Sequence, residues 1–156
     1  MPKIDRKLLS IKAEIIENLK KIIKSENILD HEDETRPFET DALSAYKQKP
    51  LAVVFPENTQ EVSKILAYCN QERIKVVPRG AGTGLSGGAL PLIDSILLCL
   101  SKFNKIIDID YKNKCVVAQP GVTNLSITQA VEERGFYYAP DPSSQIACTI
   151  GGNVAE

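Results

Sequence analysis

Val76-Val77-Pro78-Arg79-Gly80-Ala81-Gly82-Thr83-Gly84-Leu85-Ser86-Gly87-Gly88-Ala89-Leu90-Pro91 is the stretch on which the reading of this chain turns. Five of the nine glycines fall between Gly80 and Gly88. Each costs more backbone freedom on folding than another residue would, so such a cluster opposes any regular element. It reads as a loop built for a ligand. Glycine admits positive φ and lets backbone N–H groups approach a partner, and the hydroxyls of Thr83 and Ser86 add donors suited to phosphate oxygens. The ligand inferred is an anion, most simply a pyrophosphate. The plain alternative is a tight connection that binds nothing.

Two better-known glycine loops do not fit. Gly82-Thr83-Gly84-Leu85-Ser86-Gly87 has the G-x-G-x-x-G spacing, follows an expected strand at Ile74–Val77 and has Asp108 about 20 residues on. That fingerprint, however, requires a helix to open within the glycines and cross back over a sheet. Here Pro91 interrupts and the next expected strand begins near Ile96. A Walker A loop fails because no Lys-Ser or Lys-Thr pair follows the glycines.

Outward from the loop, the pattern is mixed. Apolar residues Leu8, Ile11, Ile15, Ile16, Leu19, Ile22 and Ile23 recur at helical spacing behind Asp5, an expected N-cap, and predict one helix. Lysines at 20, 21 and 24 form its solvated end. The acidic stretch 26–40 reads as a connecting arm, with His31 either a base flanked by acids or a solvated loop residue. Leu51–Phe55 is a strand, and Asn58 to Glu61 a capping box opening a helix through Val62, Ile65, Leu66 and Cys69. Ile74–Val77 is a strand parallel to the first, so the loop leaves from a strand end.

Beyond Pro91, Ile96–Leu100 reads as an apolar strand, and 106–110 with 115–119 as a hairpin around 111–114. Asp108 and Asp110 are expected on one face of that hairpin, as an acid/base pair or as exposed polar residues. Pro120-Gly121 turns into a helix capped by Thr123 and stopped at Gly135. Residues 137–156 carry Pro140, Pro142, Ser143, Ser144, Gly151 and Gly152, and read as an extended second ligand loop interrupted by the terminus.

The chain's 156 residues suit one domain, and a composition of 43% apolar and 25% charged residues is that of an ordinary soluble protein. A net charge of −1 gives no footprint for nucleic acid or an acidic membrane surface. No apolar run reaches the roughly 18 residues of a membrane span, and no signal-peptide core is seen, so a cytoplasmic location is expected. Cys69, Cys99, Cys115 and Cys148 lack metal-ligand spacing and read as buried thiols, with neither a metal nor a disulfide expected.

Three separated motifs carry a resemblance: Pro78–Ala89, Gln119-Pro120-Gly121-Val122, and Ala139–Ser144 through Gly151–Glu156. Together they resemble the FAD-linked oxidases of the vanillyl-alcohol oxidase type, and within them the group of flavin-linked glycolate oxidases and D-lactate dehydrogenases. The likeness runs from about Pro37, with Asp41-Ala42-Leu43-Ser44-Ala45-Tyr46 also matching. It implies an α+β fold: a PCMH-type FAD-binding domain, incomplete, over residues 37–156, preceded by a helix and arm over 1–36. By the same resemblance Arg79, Gly80, Ala81, Gly82, Thr83, Gly84, Leu85 and Ser86 would wrap the pyrophosphate of FAD. Pro120 and Gly121 would line the cofactor channel, and Pro142, Ser143, Ser144, Gly151 and Gly152 would lie along the ribityl chain and flavin.

Such proteins oxidise a 2-hydroxy acid by passing its α-hydrogen as hydride to the flavin. The family's substrate-holding parts lie beyond the residues matched, so no catalytic residue is assigned. Two classes of function are open. One is the FAD-binding portion of a 2-hydroxy-acid oxidoreductase, inactive until a separately made C-terminal part or other oxidase subunits complete it. The other is a non-enzymatic remnant or weak nucleotide-binding module from an interrupted gene. FAD binding is expected to be weak, because a glycine pair with only four residues after it has no following element to hold it. Exposed apolar faces on strands such as Ile96–Leu100 are expected to favour association.

Overall fold

The computed structural model describes residues 4–140 and 142–155. Its centre is a four-stranded sheet in the order β1 (Ile28–Leu29), β2 (Ala52–Val54), β4 (Ser95–Cys99), β3 (Lys75–Arg79). β1 runs antiparallel to β2, while β2 and β3 both pair in parallel with β4. The two strands expected to be parallel are so, but with β4 between them.

Every residue of β4 is buried, as a central parallel strand covered on both faces should be. Ile96 and Leu98 join one core with Ala52, Val54 and Ile65, while Leu97 and Cys99 join Val53 in a second. The expectation of an uncovered apolar face on Ile96–Leu100 is therefore wrong: the alternation of the pleat sends its side chains into two covered layers.

α4 (Thr59–Gln71) covers the first face, opened as expected by Asn58, whose side chain accepts from the Glu61 N–H at 2.9 Å. The expected N-terminal helix is two, α1 (Arg6–Ser10) and α2 (Lys12–Lys20), separated at Ile11. Ser10 Oγ donates to the Lys7 carbonyl at 2.8 Å, a local bond that competes with the helix ladder and bends it. Leu8, Ile15, Ile16, Leu19 and Ile23 nevertheless pack into the same core as β2 and β4.

The stretch read as a connecting arm carries β1 and α3 (Glu32–Thr35), because apolar Ile28 and Leu29 find partners on β2. His31 caps α3, with its side chain 84% exposed.

Asp94, 1% exposed, ties the N-terminus to the sheet by accepting from the Asp5 N–H at 2.7 Å and Lys75 Nζ at 2.6 Å. Burial pushes its pKa up, but the bonds from Lys75 and Asp5 outweigh burial and hold it below the usual carboxylate value. A depressed folded-state pKa gives stability that is present above the unfolded value, about 3.9, and is lost as pH falls through the folded one. Acid unfolding followed by circular dichroism is expected to show a steeper loss below about pH 4 in the wild type than in Asp94→Asn. Equal slopes would contradict this assignment.

β5 (Ile106–Asp110) and β6 (Cys115–Ala118) form a separate antiparallel pair with a bulge between Ile106 and Asp108. The bulge breaks the expected alternation and leaves Ile107 65% exposed. Asp110 is committed to the turn, accepting from Asn113 N–H at 3.0 Å and Nδ2 at 2.6 Å, so the paired acid/base reading fails. Cys115 is exposed, against the expectation of a buried thiol, because it opens the outer strand of this pair.

α5 (Asn124–Val131) is capped by Thr123 and ends through a short 3₁₀ turn at Gly135, which takes φ +75°. Gly151 and Gly152 are not in a loop but in α6 (Ile150–Ala155). Thr149 holds its first turn, Oγ1 accepting from the Gly152 N–H at 3.3 Å and its carbonyl from the Asn153 N–H at 3.0 Å. Among the described residues no helix is long and apolar enough to cross a membrane.

Candidate functional site

β3 delivers the chain into the glycine stretch at the carboxyl ends of the parallel strands, the usual place for a ligand on an open sheet. From Gly80 to Ala89 no backbone N–H donates a hydrogen bond to another group of the described chain. The loop's carbonyls are less free: Gly82 accepts from the Ala42 N–H at 2.9 Å, and Gly87 from Leu90 at 3.2 Å. Unpaired backbone donors are rare unless water or a ligand takes them, so this row is available to an anion.

Opposite the loop stand Pro120 and the segment that ends in α6. The Gly151 N–H donates to the Pro120 carbonyl at 2.9 Å and the Ile150 N–H to Val122 at 2.8 Å. Asn153 Nδ2 reaches Asn124 Oδ1 at 2.7 Å. Gly151 must be glycine, since a Cβ there would lie 2.6 Å from Pro120 Cβ and 2.9 Å from its carbonyl oxygen. The two walls touch where Gly80 faces Thr149 Oγ1, leaving no room for a side chain at position 80.

Between them lies a cleft of about 890 Å³. Of the expected site residues, Arg79, Gly80, Ala81, Gly82, Thr83, Gly84, Pro120, Pro142, Ser144, Gly151 and Gly152 line it together. Leu85, Ser86, Gly121 and Ser143 do not; Leu85 is 71% exposed, and Gly121 is buried behind Pro120. The sequence reading missed Thr149 and Asn153 as lining residues, although both flank the glycine pair that drew attention to the segment.

Arg79 is the only charged residue among the described residues of the lining. Its guanidinium is buried, donating to the Thr40 carbonyl at 2.8 Å and the Phe38 carbonyl at 3.4 Å, and sits 5.7 Å from the Phe38 ring centroid. Beside it burial pushes the Cys99 thiol up to about 12, with Arg79 pulling slightly the other way, so this thiol stays protonated. Gly82 takes φ +72° directly over the guanidinium.

A smaller cavity of about 360 Å³ between the β5–β6 pair and α5 is lined by residues such as Ile109, Val116, Ile127 and Phe136. It is chiefly apolar and has no row of free donors, so the larger cleft is taken as the site.

A diphosphate with two ring systems at its ends fits what the cleft offers. Free N–H groups, a fixed cation and glycines that bring the backbone to the ligand serve the phosphates, and the remaining volume of the cleft has room for the groups attached to them.

Comparison with known proteins agrees. The FAD binding domain family matches residues 50–156. Glycolate oxidase subunit GlcD of Escherichia coli is 49% identical over 156 residues, covering all of this chain and 30% of that protein. D-lactate dehydrogenase of Anaerostipes hadrus is 36% identical over 146 residues, covering 93% of this chain and 30% of that one. Among solved structures, 4-ethylphenol oxidase from Gulosibacter chungangensis superposes with a TM-score of 0.80 at 25% identity, over 98% of this chain and 30% of its own. p-Cresol methylhydroxylase gives a TM-score of 0.80 at 20% identity, over 97% and 30%. The α+β fold is thus that of the PCMH-type oxidases, and the chain spans about 30% of the length of these relatives.

Proposed function

The chain belongs to the FAD-binding domain family, and on that premise we propose that it is the cofactor-holding portion of a flavin-dependent 2-hydroxy-acid oxidoreductase. FAD is its cofactor. The observation that carries the reading of the site is the row of undonated N–H groups from Gly80 to Ala89, set beside a single buried cation.

In this reading the loop N–H groups and the Thr83 hydroxyl hold the diphosphate, and the Arg79 guanidinium adds a fixed positive charge. Pro120, Gly151 and Gly152 close the opposite wall against the cofactor, with Pro142 and Ser144 beside them. The work of these residues is to bind and orient, with charge placed before the ligand arrives. FAD, when bound, supplies the two-electron chemistry. No residue of this chain is given the substrate's proton. The substrate class rests on relatives named as a glycolate oxidase component and a D-lactate dehydrogenase. Residues 37–156 form the FAD-binding part, to whose sheet β1 adds an edge strand and against which the N-terminal helices pack. The partner is the remainder of such an oxidoreductase, on the same polypeptide or another.

The test is anaerobic flavin reduction. FAD-loaded chain is expected to keep its oxidised spectrum when glycolate or D-lactate is added, and to bleach once the substrate-binding remainder of a GlcD-type protein is supplied. Failure of the complemented protein to bleach with any 2-hydroxy acid would overturn the substrate assignment.

A further inference from the structure

Asp41 is a buried acid that the proposed site does not use. It is 5% exposed, and its Oδ2 is the one buried side-chain oxygen or nitrogen among the described residues without a hydrogen-bond partner. Its Oδ1 is engaged, accepting from the Leu43 N–H at 2.9 Å in a local turn. A buried carboxylate oxygen left without a donor costs stability, so the fold tolerates this one for a reason.

The surroundings supply the reason. The residues just after Asp41 lie along the glycine loop: the Ala42 N–H donates to the Gly82 carbonyl, and Leu43 Cδ2 is 3.6 Å from where a Cβ on Gly87 would be. Between these two contacts the loop presents Thr83, Gly84, Leu85 and Ser86, whose N–H groups donate to nothing in the described chain, as do the hydroxyls of Thr83 and Ser86. A buried acceptor without a donor therefore sits next to the two residues that pack along the loop, whose donors are left unbonded by the described chain. Asp41 itself does not line the cleft, which argues against direct contact with a ligand and for action through the loop.

We propose that Asp41 is a positioning residue of the diphosphate loop: its free Oδ2 accepts a loop N–H or hydroxyl from the Thr83–Ser86 run when the loop settles on the cofactor. One face of the loop is then held by the carboxylate while the remaining donors turn to the phosphates. The unpaired oxygen is a cost carried by the ligand-free fold and relieved on binding, which couples FAD binding to ordering of the loop. The inference rests on the reading of Gly80–Ala89 as the FAD diphosphate seat.

Asp41→Asn tests it, because the amide oxygen can keep the bond from Leu43 while the second acceptor becomes an NH₂ group. Two quantities are measured: the melting temperature of the ligand-free protein, and its dissociation constant for FAD. The expected result is a ligand-free melting temperature no lower than that of the wild type, with FAD bound at least about tenfold more weakly. A variant that melts lower without ligand, or does not fold, would show the carboxylate already serving the resting structure and would overturn the proposal. So would unchanged FAD affinity. If the wild type itself does not bind FAD, the reading beneath the proposal fails and takes it along; wild-type binding that Asp41→Asn leaves intact defeats the proposal alone.

Discussion

Gly82→Val is expected to abolish measurable FAD retention while leaving a folded protein. Gly82 has φ +72°, where a β-branched residue is strained by about 1–2 kcal/mol. Its Cβ would also fall 2.6 Å from Arg79 Cζ and 2.7 Å from Nε. Arginine side chains ordinarily swing away from such a clash, but this one is held by the Thr40 and Phe38 carbonyls. Valine must therefore move either the loop or the cation, and both belong to the proposed diphosphate seat. A combined loss near 3 kcal/mol corresponds to roughly a hundredfold weaker binding. Flavin absorbance after gel filtration measures it. Leu85→Ala is the control, since that side chain is 71% exposed and lies outside the cleft. Equal flavin content in Gly82→Val and wild type would remove the loop from the site.

The second large effect concerns the fold itself. Gly121 is buried behind the cleft, and a Cβ there would lie 2.5 Å from the Leu100 carbonyl oxygen and 2.7 Å from that of Phe103. The Phe103 carbonyl already accepts the Gly121 N–H at 2.7 Å, so the contact cannot open without losing that bond. These are backbone atoms between β4 and the β5–β6 pair, and they cannot rotate aside as a side chain can. Gly121→Ala is expected to destabilise by about 3 kcal/mol, the upper range of overpacking, and to lower the melting temperature by about 6–12 °C. A shift under about 2 °C would mean that this junction yields more easily than its geometry implies.

Much of this molecule was legible in its sequence, and the divisions are physical. Local signals survived. Asp5, Asn58 and Thr123 cap helices as their side chains promised, and the apolar run of β4 is the central strand. The glycine loop leaves a strand end because local spacing alone set strand, helix and strand.

What sequence could not supply was long-range. Nothing near Ile28–Leu29 announces a strand, since its partners, Val54 and Val53, are 26 and 24 residues on. The helix holding Gly151 and Gly152 depends on bonds to Pro120 and Val122, so glycine composition argued for a loop where tertiary contacts made a helix. Leu85 and Ser86 look like ligand residues in a motif but lie outside the cleft, since the loop turns away after Gly84 and returns to it at Gly88. Asp41 matched the family pattern with no role attached; only the burial of its unpaired oxygen gives it one.

The most direct measurement is a titration of ¹⁵N-labelled chain with FAD, followed through backbone amide resonances. If the row of free donors seats the diphosphate, the largest shifts fall on the amides of residues 80–89, followed by those of Gly151 and Gly152, and ADP reproduces the first set while riboflavin does not. Shifts confined to the apolar cavity around Ile109, Val116 and Phe136, or a loop that stays silent as FAD binds, would contradict the assignment of the site.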